Sequence, residues 1–209
     1  IVLIKKNYLK KMLKNKSIIV TGVGKGLGMD MLKQIVNYGG FVYGITRSRN
    51  DLKKFRKINN CKVFVGNVNN TKLFYKILSN SIKEKKIITG LVNNAGERQR
   101  LKFDDISQNK LKKLFETNFF SKFQNMQIFS NYLRKNQTKG SLVNIGSIVG
   151  NNGFSELSGY ASTKTALIGL TKSFSVEMAK YNIRANIINP GFIKTSYFKN
   201  FKKKIKSID

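Results

Sequence analysis

The chain contains no histidine, and its 209 residues include only one cysteine, one proline and ten acidic side chains. Without histidine there is no Ser-His-Asp triad, no Cys-His pair and no histidine-ligated metal, so acid–base chemistry needs another residue type and we expect no metal site. The single cysteine, Cys61, excludes an internal disulfide and favours a reducing compartment, which we interpret as the cytoplasm.

Long apolar segments are also missing, since no run approaches the roughly 20 apolar residues of a bilayer span. The mean hydropathy of −0.30 agrees, and we expect no membrane insertion. With 41% hydrophobic residues, the chain can form an ordinary globular core in a single domain. Residues 1–16 lack the apolar core of a signal peptide and are interpreted as an N-terminal extension, of which residues 1–11 are untranslated if Met12 is the true start.

Forty basic residues against ten acidic ones give a formal net charge of +30. Three explanations compete: binding to nucleic acid or an anionic membrane, attraction of an acidic partner or phosphorylated cofactor, and compositional drift toward Lys and Asn. Because the lysines are spread along the chain without a basic-aromatic platform or zinc-finger spacing, we predict no specific nucleic-acid binding.

Short apolar runs alternate with segments of helical spacing. The predicted strands are 17–21, 41–46, 62–65, 87–92, 141–145 and 184–188, and the predicted helices are 27–36, 51–57, 71–85, 108–134 and 156–181. This alternation predicts an α/β fold, a Rossmann-type doubly wound parallel sheet with helices on both faces. Ligands of such sheets bind beyond the carboxyl ends of the strands.

The segment TGVGKGLG at 21–28 places glycines between the first strand and the first helix. Backbone N–H groups there can approach a pyrophosphate without obstruction by Cβ, although a tight turn that needs positive φ would also select glycine. The second strand ends in Thr46 and Arg47, so the acid that often holds a ribose 2′-hydroxyl is missing there. Arg47 and Lys25 favour NADP over NAD, unless Arg47 is simply a surface residue.

Tyr160 and Lys164 are four positions apart and therefore share one helix face. A cation beside a phenol lowers its pKa from about 10 and favours proton exchange with a carbonyl or hydroxyl, although this spacing alone is common on helix edges. Ser147 ends the fifth strand thirteen positions earlier and could reach the same oxygen, or be a turn residue. Asn118 lies in the apolar stripe of a long helix and needs a hydrogen-bond partner.

Together these motifs resemble the short-chain dehydrogenase/reductase family: TGVGKGLG at 21–28, NNAG at 93–96, Ser147, YASTK at 160–164 and NPG at 189–191. The resemblance covers residues 17 to about 195. It implies hydride transfer at C4 of a nicotinamide, with Tyr160 as the proton donor or acceptor and Ser147 orienting the substrate oxygen. Lys164 would hold the nicotinamide ribose, and Asn118 would fix a water that relays protons from Lys164.

The resemblance also implies a set of cofactor contacts. It assigns them to Gly22, Gly24, Lys25, Gly26, Leu27, Arg47, Asn67, Val68, Asn93, Ala95, Gly96, Tyr160, Lys164, Ile193 and Thr195. Asn67 stands where the family commonly has Asp, and an amide can still accept a hydrogen bond from adenine.

The sequence departs from the family after the NPG motif, where members continue into a substrate cover, a further helix and a seventh strand. Residues 198–206 could begin the cover, so we interpret 17–209 as a single dinucleotide-binding catalytic domain that lacks the last strand, either a fragment or a trimmed member. The motifs look most like 3-oxoacyl-(acyl carrier protein) reductases, which implies a carbonyl or alcohol substrate carried on acyl carrier protein and a homodimer or homotetramer. The alternative is a non-catalytic dinucleotide-binding sensor or a truncated family member without turnover.

Overall fold

Six parallel strands form one sheet in the order β3-β2-β1-β4-β5-β6 in the computed structural model, which describes residues 11–193. The strands are β1 (Ser17–Thr21), β2 (Phe41–Thr46), β3 (Cys61–Val65), β4 (Ile88–Asn93), β5 (Gly140–Ile145) and β6 (Ile183–Ile188). The doubly wound parallel sheet predicted from the alternating pattern is therefore confirmed.

The helices are α1 (Gly26–Asn37), α2 (Thr71–Lys83), α3 (Gln108–Phe115), α4 (Ser121–Lys135) and α5 (Ser158–Met178). Two of them begin at a side-chain cap: Asn70 accepts from the Leu73 amide and Ser107 from the Lys110 amide. Such caps satisfy amides that have no partner within the helix.

Two predicted helices differ in detail from the structure. The segment predicted at 51–57 is a short 3-10 helix, Arg49–Phe55, because it buries only Phe55 and supplies too little apolar surface for a longer amphipathic helix. The helix predicted at 108–134 is interrupted by a π-helical turn, Glu116–Phe120, between α3 and α4. Turns of this kind frequently occur at functional sites.

Helices cover the sheet on two faces. On one face, α2, α4 and α5 pack on the strands around residues such as Phe74, Phe129 and Leu142. On the other face, α1 contributes Leu32 to a second cluster that also contains Val20. The apolar runs in the central strands are needed because both of their faces are covered.

The strand order reverses at β1, which pairs with β2 on one side and with β4 on the other. The helices that follow β1 and β4 pack on opposite faces of the sheet, so a crevice opens beyond the carboxyl ends of these two strands. The glycine loop after β1 and the NNAG turn after β4 both lie there. Within residues 11–193, no helix is long and apolar enough to cross a bilayer.

Candidate active site

A cleft of about 500 Å³ lies at the carboxyl ends of β1, β2 and β4. It brings together most of the residues to which the resemblance assigned cofactor contacts. Those that line it are Gly22, Gly24, Lys25, Leu27, Arg47, Asn67, Val68, Ala95 and Gly96. Gly26 is the first residue of α1 beside them, and Thr195 lies outside the described residues.

The glycine loop is closely packed against the NNAG turn. Gly22 has φ of +75°, and a Cβ at this position would lie 3.0 Å from Cα of Ala95. A Cβ on Gly28 would lie 2.1 Å from the carbonyl oxygen of Gly22. Larger residues therefore cannot occupy these positions without moving the backbone of the loop.

Lys25 is the N-cap of α1 and makes no side-chain capping bond. The first amides of the helix therefore face the cleft without a side-chain acceptor at the cap, and the helix dipole places partial positive charge there. An uncapped helix start behind a glycine loop has the chemistry of a phosphate site, so the residues present fit a dinucleotide.

Charged side chains surround the wall of the cleft near β2. Arg47 forms an ion pair with Glu97 from the turn after β4. The carboxylate of Asp51 accepts hydrogen bonds from Thr46 Oγ1 at 2.6 Å and from Lys54 Nζ at 2.5 Å. These bonds, first that from Lys54, hold the pKa of Asp51 below its usual value. The cleft thus contains the carboxylate of Asp51, which the residues at the end of β2 do not predict.

Two expected contacts have other bonding in this structure. The Asn67 side chain accepts from the amide of Asn69 at 3.1 Å, which closes a local turn at the rim of the cleft. Asn93 is fully buried, and its amide group bonds to Asn144 and Asn125 in the sheet interior. The side chain of Asn93 therefore joins β4, β5 and α4 rather than lining the cleft.

A second cavity of about 360 Å³ adjoins the first and is walled by Ser147, Tyr160, Lys164 and Ile193. Leu27, Asn94, Gly96 and Glu97 line both cavities. The rest of the second cavity is mainly apolar, with one charged residue, and is lined by Ile145, Ile148, Val149, Phe154, Leu157, Pro190, Phe192, Gly146, Gly191 and Arg98. Polar groups thus lie where the cavities meet, and apolar surface extends away from them.

Tyr160 and Lys164 lie one helical turn apart on α5, with Lys164 Nζ 5.5 Å from the centroid of the Tyr160 ring. The Lys164 amine donates a hydrogen bond to the carbonyl oxygen of Ile145 at 2.8 Å. The side chain is almost entirely buried, and this desolvation lowers the pKa of Lys164 from 10.5 to about 8. A cation is therefore held against the phenol ring at some cost in solvation.

Ser147 lies between β5 and a short 3-10 helix, Ile148–Gly150. Its hydroxyl oxygen accepts from the amide of Val149 at 3.2 Å, while its own amide donates to Asn189 Oδ1 at 3.2 Å. The asparagine of the NPG motif thus holds the serine loop. The Ser147 hydroxyl retains its proton for donation into the second cavity.

Asn118 lies within the π-helical turn and is fully buried. Its Oδ1 accepts from the Glu97 amide at 2.7 Å, and its Nδ2 donates to the Glu97 carbonyl oxygen at 2.8 Å and to Thr163 Oγ1 at 3.2 Å. The side chain therefore clamps the turn after β4 to α5 and lines neither cavity. Its relay role stays a prediction.

Two residues that shape this site, Thr21 and Lys122, were not predicted from the sequence. Thr21 Oγ1 accepts from the amides of Asn94 and Ala95, both at 2.9 Å, and so joins β1 to the NNAG turn. Lys122 lies one helical turn after Asn118 and is 2% exposed. A signal was present, because Asn118 and Lys122 continue the stripe of buried Leu114 with polar residues.

Comparisons with known proteins agree with this architecture. The family model of short chain dehydrogenases matches residues 16–206. The chain is 28% identical over 196 residues to 3-oxoacyl-(acyl-carrier-protein) reductase of Buchnera aphidicola subsp. Acyrthosiphon pisum, covering 92% of this chain and 78% of the relative. It is 31% identical over 182 residues to carbonyl reductase (NADPH) 2 of Sus scrofa, covering 85% and 72%.

Solved structures with a bound nicotinamide cofactor superimpose on this chain. The protein ElxO with NADP bound superimposes with a TM-score of 0.84 at 27% identity, over 91% of this chain and 79% of that one. The 4-hydroxyisoleucine dehydrogenase complexed with NADH superimposes with a TM-score of 0.78 at 28% identity, over 90% and 81%. With the family model matching most of its length, the chain belongs to the short-chain dehydrogenase family.

Proposed function

We propose that this protein is an NAD(P)-dependent oxidoreductase that transfers a hydride between a nicotinamide and a carbonyl or alcohol substrate. The observation that carries the proposal is that the two cavities are joined: Ser147, Tyr160 and Lys164 line the second cavity, which shares Gly96 and three other residues with the phosphate-type cleft. A dinucleotide in the first cavity and a substrate in the second would meet at these side chains.

The cofactor would lie along the glycine loop, with its pyrophosphate at the start of α1 and its adenosine near Asn67 and Val68. When bound, it supplies the hydride. Gly96 lines both cavities, and Lys164 lines the second with its Nζ 3.9 Å from the position that a Cβ on Gly96 would take, so these two residues would hold the nicotinamide ribose. Arg47 supports a preference for NADP, since its guanidinium can pair with a 2′-phosphate in place of Glu97.

The proton at the substrate oxygen is handled by the chain's own side chains. Tyr160 donates it during reduction and accepts it during oxidation, while the Ser147 hydroxyl donates a hydrogen bond that orients the same oxygen. The Lys164 ammonium, 5.5 Å from the phenol ring, stabilises the phenolate that forms. No histidine is needed for this chemistry, in agreement with the composition.

A 3-oxoacyl thioester carried on acyl carrier protein is the substrate that we favour. The apolar part of the second cavity suits an acyl chain, and the charge of +30 suits an acidic carrier. This substrate predicts that activity with a carrier-linked thioester falls steeply as salt rises, because ionic strength screens attraction between exposed charges. Activity with a small ketone should change little, and equal salt dependence for both would contradict the carrier assignment.

The experiment that tests the function follows NADPH consumption by absorbance with acetoacetyl thioesters and small ketones. Tyr160→Phe should abolish turnover but still bind NADPH, whereas Tyr75→Phe, a change to an exposed tyrosine on α2, should leave turnover unchanged. Equal loss in both variants would contradict the assigned proton donor. NADPH binding by the wild type without turnover of any substrate would favour the dinucleotide-binding sensor instead.

Cofactor preference has a separate test. Arg47→Ala should weaken NADPH binding by about tenfold and leave NADH binding nearly unchanged, because only NADPH carries the 2′-phosphate. Fluorescence titration with both cofactors measures this ratio. Equal weakening for both cofactors would show that Arg47 acts on something other than the 2′-phosphate.

We also propose that the chain assembles as a homodimer or homotetramer. Large apolar side chains are exposed on and beside the helices that carry the site, among them Phe120, Phe123 and Val176. Large apolar side chains exposed in this number often mark a protein interface. Light scattering coupled to gel filtration should give a multiple of the 23.8 kDa chain mass, and a single-chain mass would contradict the proposal.

A further inference from the structure

The active site contains a buried amine that the chemistry proposed above does not use. Lys122, in the first turn of α4, is 2% exposed, although lysine is almost never fully buried unless paired. Its Nζ donates a hydrogen bond to the carbonyl oxygen of Ala95 at 2.5 Å and lies 3.5 Å from the Thr117 carbonyl oxygen. Both acceptors are neutral, so among residues 11–193 no carboxylate pairs with the buried amine.

The Ala95 carbonyl belongs to the turn that separates the two cavities. This turn is held from the β1 side by Thr21, which accepts from the Ala95 amide, and from the π-helical turn by Asn118, which bonds both backbone groups of Glu97. Lys122 holds the turn at a third point, through the hydrogen bond from its amine to the Ala95 carbonyl oxygen. With it, the peptide units from Ala95 to Glu97 are bonded on both sides of Gly96, which lines both cavities.

The hydrogen bond from Lys122 affects the orientation of the Ala95–Gly96 peptide. A buried peptide carbonyl without a donor is costly, so removal of the amine would favour rotation of the Ala95–Gly96 peptide toward water in the cleft. Such a rotation would move the surface on which the nicotinamide ribose is expected to lie. The position of this peptide therefore depends on a side chain that touches neither cavity.

Lys122 is also electrostatically linked to the site. Its pKa lies well below the usual value, first because of burial and then because of the positive charge of Lys164 on α5. The groups that face the amine from the elements packed against it are the carbonyl oxygens of Ala95 and Thr117. In the described part of the chain, Lys164 is the charged group that contributes to the lowered pKa of Lys122. Lys164 Nζ lies 3.9 Å from the position that a Cβ on Gly96 would take, and Lys122 Nζ bonds the carbonyl oxygen of the preceding residue, so both buried amines lie against the Ala95–Gly96 turn, beside a cleft suited to an anion.

We propose that Lys122 is a positioning residue, which holds the Ala95–Gly96 peptide in the orientation that receives the nicotinamide ribose and, with Lys164, forms a pair of buried amines that takes up protons when the anionic cofactor binds. This rests on the proposed cofactor-dependent function. It assigns Lys122 no contact with substrate or cofactor. The physical reason for proton uptake is that negative charge brought into the cleft favours the charged form of both amines.

The test uses two variants of Lys122 and a control on the same helix. Lys122→Met keeps an unbranched chain but removes the donor and the charge, and Lys122→Gln restores an N–H donor on a shorter chain. Ile128→Val is a control that removes buried volume from α4 within the main core. Three quantities are measured: the NADPH dissociation constant, the protons taken up on binding, and hydrogen exchange of the Asn94, Ala95 and Glu97 amides without cofactor.

Lys122→Met should bind NADPH about 3- to 10-fold more weakly, because one hydrogen bond that orients the peptide is lost. It should also take up fewer protons on binding, as measured by calorimetry in buffers of different ionisation enthalpy. Lys122→Gln should recover part of the affinity, and Ile128→Val should change neither quantity. Faster exchange at the three turn amides in Lys122→Met, with strand amides unchanged, would support the attachment.

A merely structural role predicts a different pattern. Lys122→Met removes a buried amine that has no carboxylate partner but leaves the Ala95 carbonyl without a donor. These effects oppose each other, so the variant should melt close to the wild type, and weaker binding could not be ascribed to unfolding. Unchanged affinity, proton uptake and turn exchange in Lys122→Met would overturn the proposal. If the wild type does not bind NADPH, the proposed function fails, and exchange at the turn still decides whether Lys122 holds the Ala95 carbonyl.

Discussion

Replacing Lys164 by Met should make the protein more stable near neutral pH while abolishing turnover. Lys164 is 3% exposed, and its amine donates to a carbonyl oxygen rather than to a carboxylate. Burial therefore disfavours the charged form without a compensating ion pair, which is the cause of its lowered pKa. Residues that serve a site rather than the fold commonly reduce stability in this way.

The magnitude follows from the pKa. A fall from 10.5 to about 8 corresponds to about 3 kcal/mol of unfavourable free energy in the charged form, at roughly 1.4 kcal/mol per pKa unit. Loss of the hydrogen bond to Ile145 costs about 1 kcal/mol, so the free energy of unfolding of Lys164→Met should be higher than that of the wild type by about 2 kcal/mol. The unfolded chain binds more protons than the folded one between about pH 8 and 10.5, so the penalty is complete below this window and disappears above it.

Thermal unfolding at several pH values measures this effect. For a domain of this size, Lys164→Met should melt about 4 to 8 °C above the wild type at pH 7, and the difference should vanish by about pH 10. Lys172→Met, a change to an exposed lysine on the same helix, should shift the melting temperature little at either pH. A lower melting temperature for Lys164→Met at pH 7, or a difference independent of pH, would refute the reasoning.

Three further predictions concern the cleft and the sheet interior. Gly24→Ala should weaken NADPH binding at least tenfold in a fluorescence titration, since its Cβ would lie 2.2 Å from Asp51 Oδ2, whereas Gly153→Ala, with nothing within 4 Å, should bind normally. Asp51→Asn should strengthen NADPH binding about threefold in the same titration, because a carboxylate leaves the cleft; weaker binding would contradict this. Asn144→Leu should lower the free energy of unfolding in urea by about 1 to 3 kcal/mol, because the buried Asn93 amide loses its acceptor, and an unchanged value would contradict the bond seen at 3.0 Å.

Much of the fold and the motif residues could be predicted from the sequence. Local apolar runs separated by glycine loops and helical spacing are sufficient to predict six parallel strands, because each signal lies within a few neighbouring residues. The spacing of Tyr160 and Lys164 places both on one face of a helix whatever the rest of the chain does. Glycines at 22 and 24 indicated a backbone that a pyrophosphate can approach, which stays a prediction, and the space at both positions is too small for a Cβ without a shift of neighbouring atoms.

Other features depended on residues far apart in the chain. Asp51 supplies a carboxylate to the cleft from beyond the end of β2, because the 3-10 helix returns the chain toward Gly24. Asn93 belongs to an amide network with Asn144 and Asn125, whose register is set by strand pairing and helix packing. No local pattern distinguishes an amide that faces a ligand from one that faces another strand.

By itself the sequence determined the order of the strands along the chain, the glycine loop and the Tyr160–Lys164 pair, all of which follow from short-range periodicity and backbone sterics. The tertiary structure alone decided that Lys122 and Asn118 converge on one turn and that Lys164 is dehydrated enough to titrate near 8. The physical reason is that burial and charge coupling depend on what surrounds a side chain in space. These surroundings come from segments separated by tens of residues, so they exist only once the sheet and its helices have assembled.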